Sequence, residues 1–224
     1  VRKAGPRPSA VGGHPVQTAD SAWWRPHVLA VPFLLLLAVV VWRLQTPASV
    51  LDMNTDMHAI CSIVAAQQDP ARYASDHLLS HPARFARYTP AYVWLVGVTA
   101  WLAGGFPEAA GLLVLPTSAL FMVGSYLLLW RLTGRPALAV GVTVAFAFGR
   151  IWFQLGEKWS MSEVWGTMPR TQFTLFLPWL VLAAWECRNR PRFWPLVAAF
   201  AAALVYVHPV SAPAWGLAVW VMFV

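Results

Sequence analysis

The sequence predicts an all-α fold: a polytopic transmembrane helix bundle of about six to seven spans, with short interfacial helices in its first outer loop. Three observations carry this. The 224 residues are 58% hydrophobic and 11% charged, whereas a soluble domain is about 25% charged. Runs such as HVLAVPFLLLLAVVVW (27–42) and AAGLLVLPTSALFMVGSYLLLW (109–130) match or approach the length that crosses about 30 Å of hydrocarbon. Trp23 and Trp24 stand beside Arg25 at the head of the first run, as an interfacial anchor would.

Taken in order, residues 1–26 read as a disordered, basic, cytoplasmic tail, because RKAGPRPSAVGGHP has no apolar period. It is not a secretory signal, since polar sequence separates its basic stretch from the apolar run and no small-residue cleavage site follows. The transmembrane domain is expected over 27–224, with its first span at about 27–43. The outer loop 44–87 holds four of the nine acidic residues and three of the six histidines. Within it, TDMHAICSIVAAQQDP has a helical period: Thr55 can cap it, Met57, Ile60, Ile63 and Val64 share a face, and Pro70 ends it. That segment is too short to span and is expected to lie flat at the membrane surface. Apolar segments follow at about 88–104, 109–130, 137–153, 171–186, 194–208 and from 212 onward. The last stops in VWVMFV, so the domain is expected to be truncated at its C-terminus and the chain to continue.

The net charge of +7 gathers in the tail and in short loops, where basic residues orient membrane proteins. Neither an aromatic-plus-basic RNA-binding pattern nor a zinc-like Cys/His spacing is present, and no nucleic acid is expected. Cys61 and Cys187 make no disulfide framework and read as small apolar helix residues. Two topologies compete. If every segment crosses and the N-terminus is cytoplasmic, RLTGRP and CRNRPRFW lie outside, against the positive-inside tendency. If 88–104 is re-entrant, both arginine loops become cytoplasmic, and 44–87, 154–170 and His208 share the outer face. Pro90, Gly97 and the Gly-Gly end make 88–104 the segment to suspect.

Several residues carry candidate chemistry. Asp52 and Asp56 follow the first span. Helix capping accounts for Asp56 without function; the functional reading makes it a base for an acceptor hydroxyl or a metal carboxylate. His58 lies two residues on and points elsewhere on a helix. Asp76, with His77 and His81, occupies the second half of the loop, followed by Arg84, Arg87 and Tyr88. Arginines there suit bidentate phosphate capture or simply snorkel at lipid headgroups. In GEKWSMSEVWGTMPR, Glu157, Glu163, Lys158 and Arg170 interleave with Trp159 and Trp165, either as a sugar-stacking surface or as an interfacial aromatic belt. Arg150 lies near the end of a span, where a charge suggests function or snorkels. His208 sits between two apolar runs that Pro209 and Pro213 break.

The order of a single N-terminal span, an acidic outer loop with surface helices, RYTPAYVWLVGVTAWLAGG, then a helix ending YLLLWRLTG and a small-residue span resembles the polytopic GT-C glycosyltransferases. Those enzymes take sugars from polyprenyl-phosphate carriers. The resemblance covers roughly 27–150, and its motifs are pattern-level. It implies a catalytic base soon after the first span, here Asp56 or Asp52, a Pro-led helix start at Pro90 with Tyr92, and a helix end at Arg131 with Gly134. The commoner Asp-Glu pair is replaced by Asp-x-x-x-Asp with x-His, which leaves the choice of base open. The implied function is sugar transfer from a polyprenyl-phosphate-linked donor to an acceptor at the outer face of a bacterial inner membrane. Asp56 or Asp52 would be catalytic; His58, Asp76, Arg87, Tyr88, Glu157, Glu163, Arg170 and His208 would bind substrate. Mg2+ or Mn2+ would suit the carboxylates, although enzymes of this class also work without metal. The competing readings are a transporter or flippase for a lipid-linked or anionic solute, and a non-catalytic membrane scaffold.

Overall fold

The computed structural model describes residues 24–45, 55–81, 85, 87–148 and 169–221. Every regular element among them is a helix. Residues 1–23 of the disordered tail expected over 1–26, Asp52, Arg84, Arg150 and the whole 154–168 segment, with Glu157 and Glu163, lie outside the described residues, while Arg25 and Pro26, expected in that tail, open the first helix.

Eight α-helices are described: α1 (Arg25–Gln45), α2 (Thr55–Gln68), α3 (Pro90–Ala103), α4 (Phe106–Thr133), α5 (Pro136–Phe148), α6 (Pro169–Cys187), α7 (Trp194–Ala203) and α8 (Ser211–Val221). Proline punctuates the starts. Pro90, Pro136 and Pro169 each open a helix, where the missing N–H costs nothing. Glycine closes α3 and α4: Gly104 (φ 85°) and Gly134 (φ 66°) take the left-handed conformation and return their N–H groups to Ala100 O and Trp130 O.

Among the described residues, α1 and α4 are the two helices long and apolar enough to cross a membrane. The other apolar segments form helices of 10 to 19 residues. The segment at 194–208 is broken into α7 and a 3-10 turn, Leu204–Tyr206, before His208.

Contacts fix the helix directions. The His27 ring lies 4.4 Å from the Trp130 ring, while Val41 shares a core with Val114, so α1 and α4 are antiparallel. Gln172 meets Thr117 and Glu186 meets Arg131, so α4 and α6 run parallel. Between those contacts, Trp179 lies flat against Gly124 and donates from Nε1 to Leu120 O at 2.9 Å. A Cβ at Gly124 would fall 2.5 Å from that indole nitrogen, so the close approach requires glycine. α7 returns along α6: Trp194 Nε1 donates to Cys187 O, and His208 reaches Phe173. α8 then reverses, packing Ala212 and Val219 with Val197 and Leu204.

α3 and α6 use different parts of α4. The core formed by Met57, Ile60, Val64, Tyr92, Val93 and Val96 closes on Ala110 and Leu113, near the start of α4. α6 meets α4 from Thr117 to Arg131. α4 has 28 residues, about 42 Å, so its first turns extend past the α6 start, and α2 and α3 pack there. The sequence placed the apolar face of α2 on the membrane surface. Instead Met57, Ile60, Cys61, Ile63 and Val64 are buried against α3 and α4. The apolar stripe is real, but protein covers it.

Candidate functional site

Charges from the first turns of α2 and α6 reach residues just before α3 and α8. Asp56 occupies the first turn of α2, where unpaired backbone N–H groups and the helix dipole favour a carboxylate. It is half-buried. The next residue, Met57, fixes α2 to α3, its sulfur accepting the Tyr92 hydroxyl at 3.1 Å. This contact sets Asp56 beside the segment that enters α3, where Tyr88 stands. Arg170, also half-buried, lies in the first turn of α6, behind Pro169.

Two titratable groups record the convergence. Burial raises the Tyr88 phenol above its ordinary value; the Asp56 charge raises it further and Arg170 opposes. Burial lowers the His208 imidazole, Arg170 lowers it further, and Asp56 opposes. One carboxylate from α2 and one guanidinium from α6 therefore act on the same phenol and the same imidazole. These four residues span 152 positions of the sequence, from Asp56 to His208. At neutral pH Tyr88 keeps its proton and His208 is uncharged.

The His208 tautomer follows from its bonds. Ser211 N–H donates to Nδ1 at 3.2 Å, and Ser211 Oγ lies 2.8 Å from the same nitrogen. His208 thus caps the start of α8 with Nδ1 as acceptor, which places the proton of the neutral ring on Nε2. The imidazole offers a donor and is not placed to take up a second proton cheaply, because that would cost the cap.

A layer of buried hydroxyls lies beneath. Gln172 Nε2 donates to Thr117 Oγ1 at 2.7 Å, and Thr117 donates to Leu113 O. Thr89, Ser118 and Thr171 hydroxyls are buried with no hydrogen-bond partner among the described residues. Thr89 is also the one non-glycine residue among those described with positive φ, at 44°. The following proline denies it the right-handed helical region, and a β-branched side chain in the left-handed region costs on the order of 1–3 kcal/mol. Strain and an unsatisfied hydroxyl coincide next to Tyr88.

Of the residues singled out from sequence, Asp56, Tyr88, Arg170 and His208 come together. Asp76 serves its own turn: its carboxylate accepts Leu78 N at 2.8 Å and Leu79 N at 2.7 Å, and these bonds hold it below the usual carboxylate range. His58 lies half-buried on another side of α2, and Arg87 is exposed. Asp52, Glu157 and Glu163 lie outside the described residues. Among the described residues no three His, Cys, Asp or Glu side chains are grouped to hold a metal.

Thr89, Thr171 and Gln172 escaped sequence reasoning. The X-Pro step at Thr89 was the available signal for its backbone, and a glutamine in the apolar run TQFTLFLPW was the signal for the polar layer. Comparison with family models, curated proteins and solved structures gives no match.

Proposed function

We propose that this chain is a membrane glycosyltransferase-like enzyme that moves a sugar from a polyprenyl-phosphate donor to an acceptor at the outer face of a bacterial inner membrane. The observation that carries the reading is the action of Asp56 and Arg170 on both Tyr88 and His208. That arrangement offers a carboxylate base, a phosphate-binding cation and two neutral hydrogen-bond donors within electrostatic reach of one another. Asp56 takes the proton of the acceptor hydroxyl as its oxygen bonds to the anomeric carbon. The bond from that carbon to the phosphate oxygen breaks, and the polyprenyl phosphate leaves with the electron pair. Arg170 holds its added charge, with His208 Nε2–H and Tyr88 O–H as further donors.

The membrane reading rests on the exterior and on charge. Leu29 and Trp101, each 78% exposed, belong to an apolar surface too extensive for water. We place α1, α4, α5, α6, the 194–206 segment and α8 as six crossings with the N-terminus cytoplasmic, the helices shorter than a full span being carried across by their packing on α1, α4 and α6. α3 stays on the outer side because it packs on the part of α4 that extends past α6. The proposed cytoplasmic end then holds Arg25, Arg131, Arg135, Arg188, Arg190 and Arg192 against Glu186. The opposite end balances four arginines with four carboxylates among the described residues. This agrees with the positive-inside tendency.

The test is release of polyprenyl phosphate from a panel of polyprenyl-phosphate sugars by the purified protein in vesicles. Wild type releases it; Asp56→Asn, folded to the same extent, does not. Full activity in Asp56→Asn removes that residue from the mechanism. Movement of a solute or lipid across the vesicle without covalent product favours a transporter instead.

A further inference from the structure

At the far side of the bundle, α7 and α8 diverge around a groove of about 690 Å³. Val197, Ala201 and Val205 form one wall, and Ala212, Gly216 and Trp220 form the other. No charged side chain lines it. The walls stand well apart, since a Cβ on Gly216 would meet nothing within 4 Å. The groove runs from Pro191 along the ten residues of α7 to Val205, about 20 Å, and an uncharged apolar trough of that length suits a single hydrocarbon chain.

One end of the groove is marked by charge. Pro191 lines it, between Arg190 and Arg192, both exposed. The neighbouring carboxylate, Glu186, is already held by two bonds from Arg131, at 2.5 and 2.7 Å. Arg188 lies 3.9 Å over Trp185 and Arg192 lies 4.7 Å over Phe193, which orders both side chains against the helix ends. Positive charge at the end of an apolar groove complements one kind of molecule, a hydrocarbon chain with an anionic head.

We infer that the α7–α8 groove binds an anionic phospholipid, with an acyl chain along Val197, Ala201 and Gly216 and the phosphate on Arg190 and Arg192. The inference rests on the membrane reading and is independent of the transferase chemistry. The site is on the opposite side of the bilayer from Asp56 and selects its lipid by headgroup charge.

Native mass spectrometry of the purified protein with equal phosphatidylglycerol and phosphatidylcholine tests it. Wild type retains phosphatidylglycerol in preference. Arg190→Gln with Arg192→Gln lowers that preference by about fivefold for each arginine, the usual contribution of a basic residue at an anionic surface, and leaves phosphatidylcholine retention unchanged. Gly216→Leu fills the groove from an open position and improves helix propensity, so it lowers retention of both lipids without unfolding α8. Equal retention in wild type and all variants overturns the proposal. Efficient cross-linking of two copies through Ala201→Cys also overturns it, by making the groove an interface between copies. A protein that fractionates as soluble without detergent sinks the membrane reading and this inference together, whereas absence of transferase activity leaves the lipid result standing.

Discussion

The two ends of the bundle handle charge in opposite ways. At the arginine end, Arg131 and Glu186 meet directly through two bonds, and Arg188 and Arg192 stack on Trp185 and Phe193. At the other end, Asp56 and Arg170 act on two uncharged groups, Tyr88 and His208, above hydroxyls that no described residue satisfies. A carboxylate bonded directly to a guanidinium is a structural feature. Opposite charges acting on neutral donors, beside a strained Thr89, leave those donors without a direct ion pair between the two charges to explain them. The difference separates a place that joins helices from the place where the proposed chemistry would be tested.

The largest effect expected from this contrast is at Asp56. Asp56→Asn should lower transfer by about 10²–10⁴-fold, the range for a general base, with no change in thermal unfolding. Between the two ends, Gly124→Ala should cost about 1–3 kcal/mol, because the new methyl meets the Trp179 indole and α4 and α6 must separate. A denaturation series in detergent measures this, and an unchanged midpoint would mean the α4–α6 contact is loose. Thr89→Gly should stabilise by up to about 1 kcal/mol, as relief of the left-handed strain outweighs the added freedom of the unfolded chain. A loss of stability there would show that no strain is stored.

His208 supplies a pH test. Its folded-state value lies below the ordinary 6.5, so the folded chain binds fewer protons than the unfolded one in that window. The contribution to stability is complete above about pH 6.5 and is lost as pH falls through the folded-state value. His208→Asn keeps a cap acceptor and should flatten this acid-side loss; an unchanged profile would assign it to other groups. The smallest effect is at the arginine end. Arg131→Gln should cost less than about 1 kcal/mol, because both partners are over a third exposed.

Much of this architecture is legible from local signals. Pro90, Pro136 and Pro169 open helices, Gly104 and Gly134 close them, and the Thr55-to-Pro70 segment forms the short helix its period predicts. Asp56, Tyr88, Arg170 and His208 could each be named from sequence because polar residues in so apolar a chain stand out. Their meeting could not, since no period connects α2 with the starts of α6 and α8. The same limit hid Gln172 from Thr117 and Trp179 from Gly124. Arg170 read as a loop residue, yet Pro169 starts α6 there and turns it into a first-turn side chain. The partner of α2 was also beyond local pattern, because an apolar stripe does not say whether lipid or α3 will cover it.

The central claim is that the start of α8 and the loop after α2 share a face, with the arginine turn on the other. In a background with Cys61 and Cys187 replaced by alanine, single cysteines at Leu78, Val210 and Asn189, all exposed, can be tested in intact cells with a membrane-impermeant thiol reagent. Replacing Cys61 matters little for the readout, since burial already pushes that thiol up to about 11. The account predicts that Leu78→Cys and Val210→Cys label from outside and Asn189→Cys labels only after lysis. Labelling of Leu78→Cys and Asn189→Cys from outside, with Val210→Cys protected, would place His208 and Arg170 across the membrane from Asp56 and contradict the composite site.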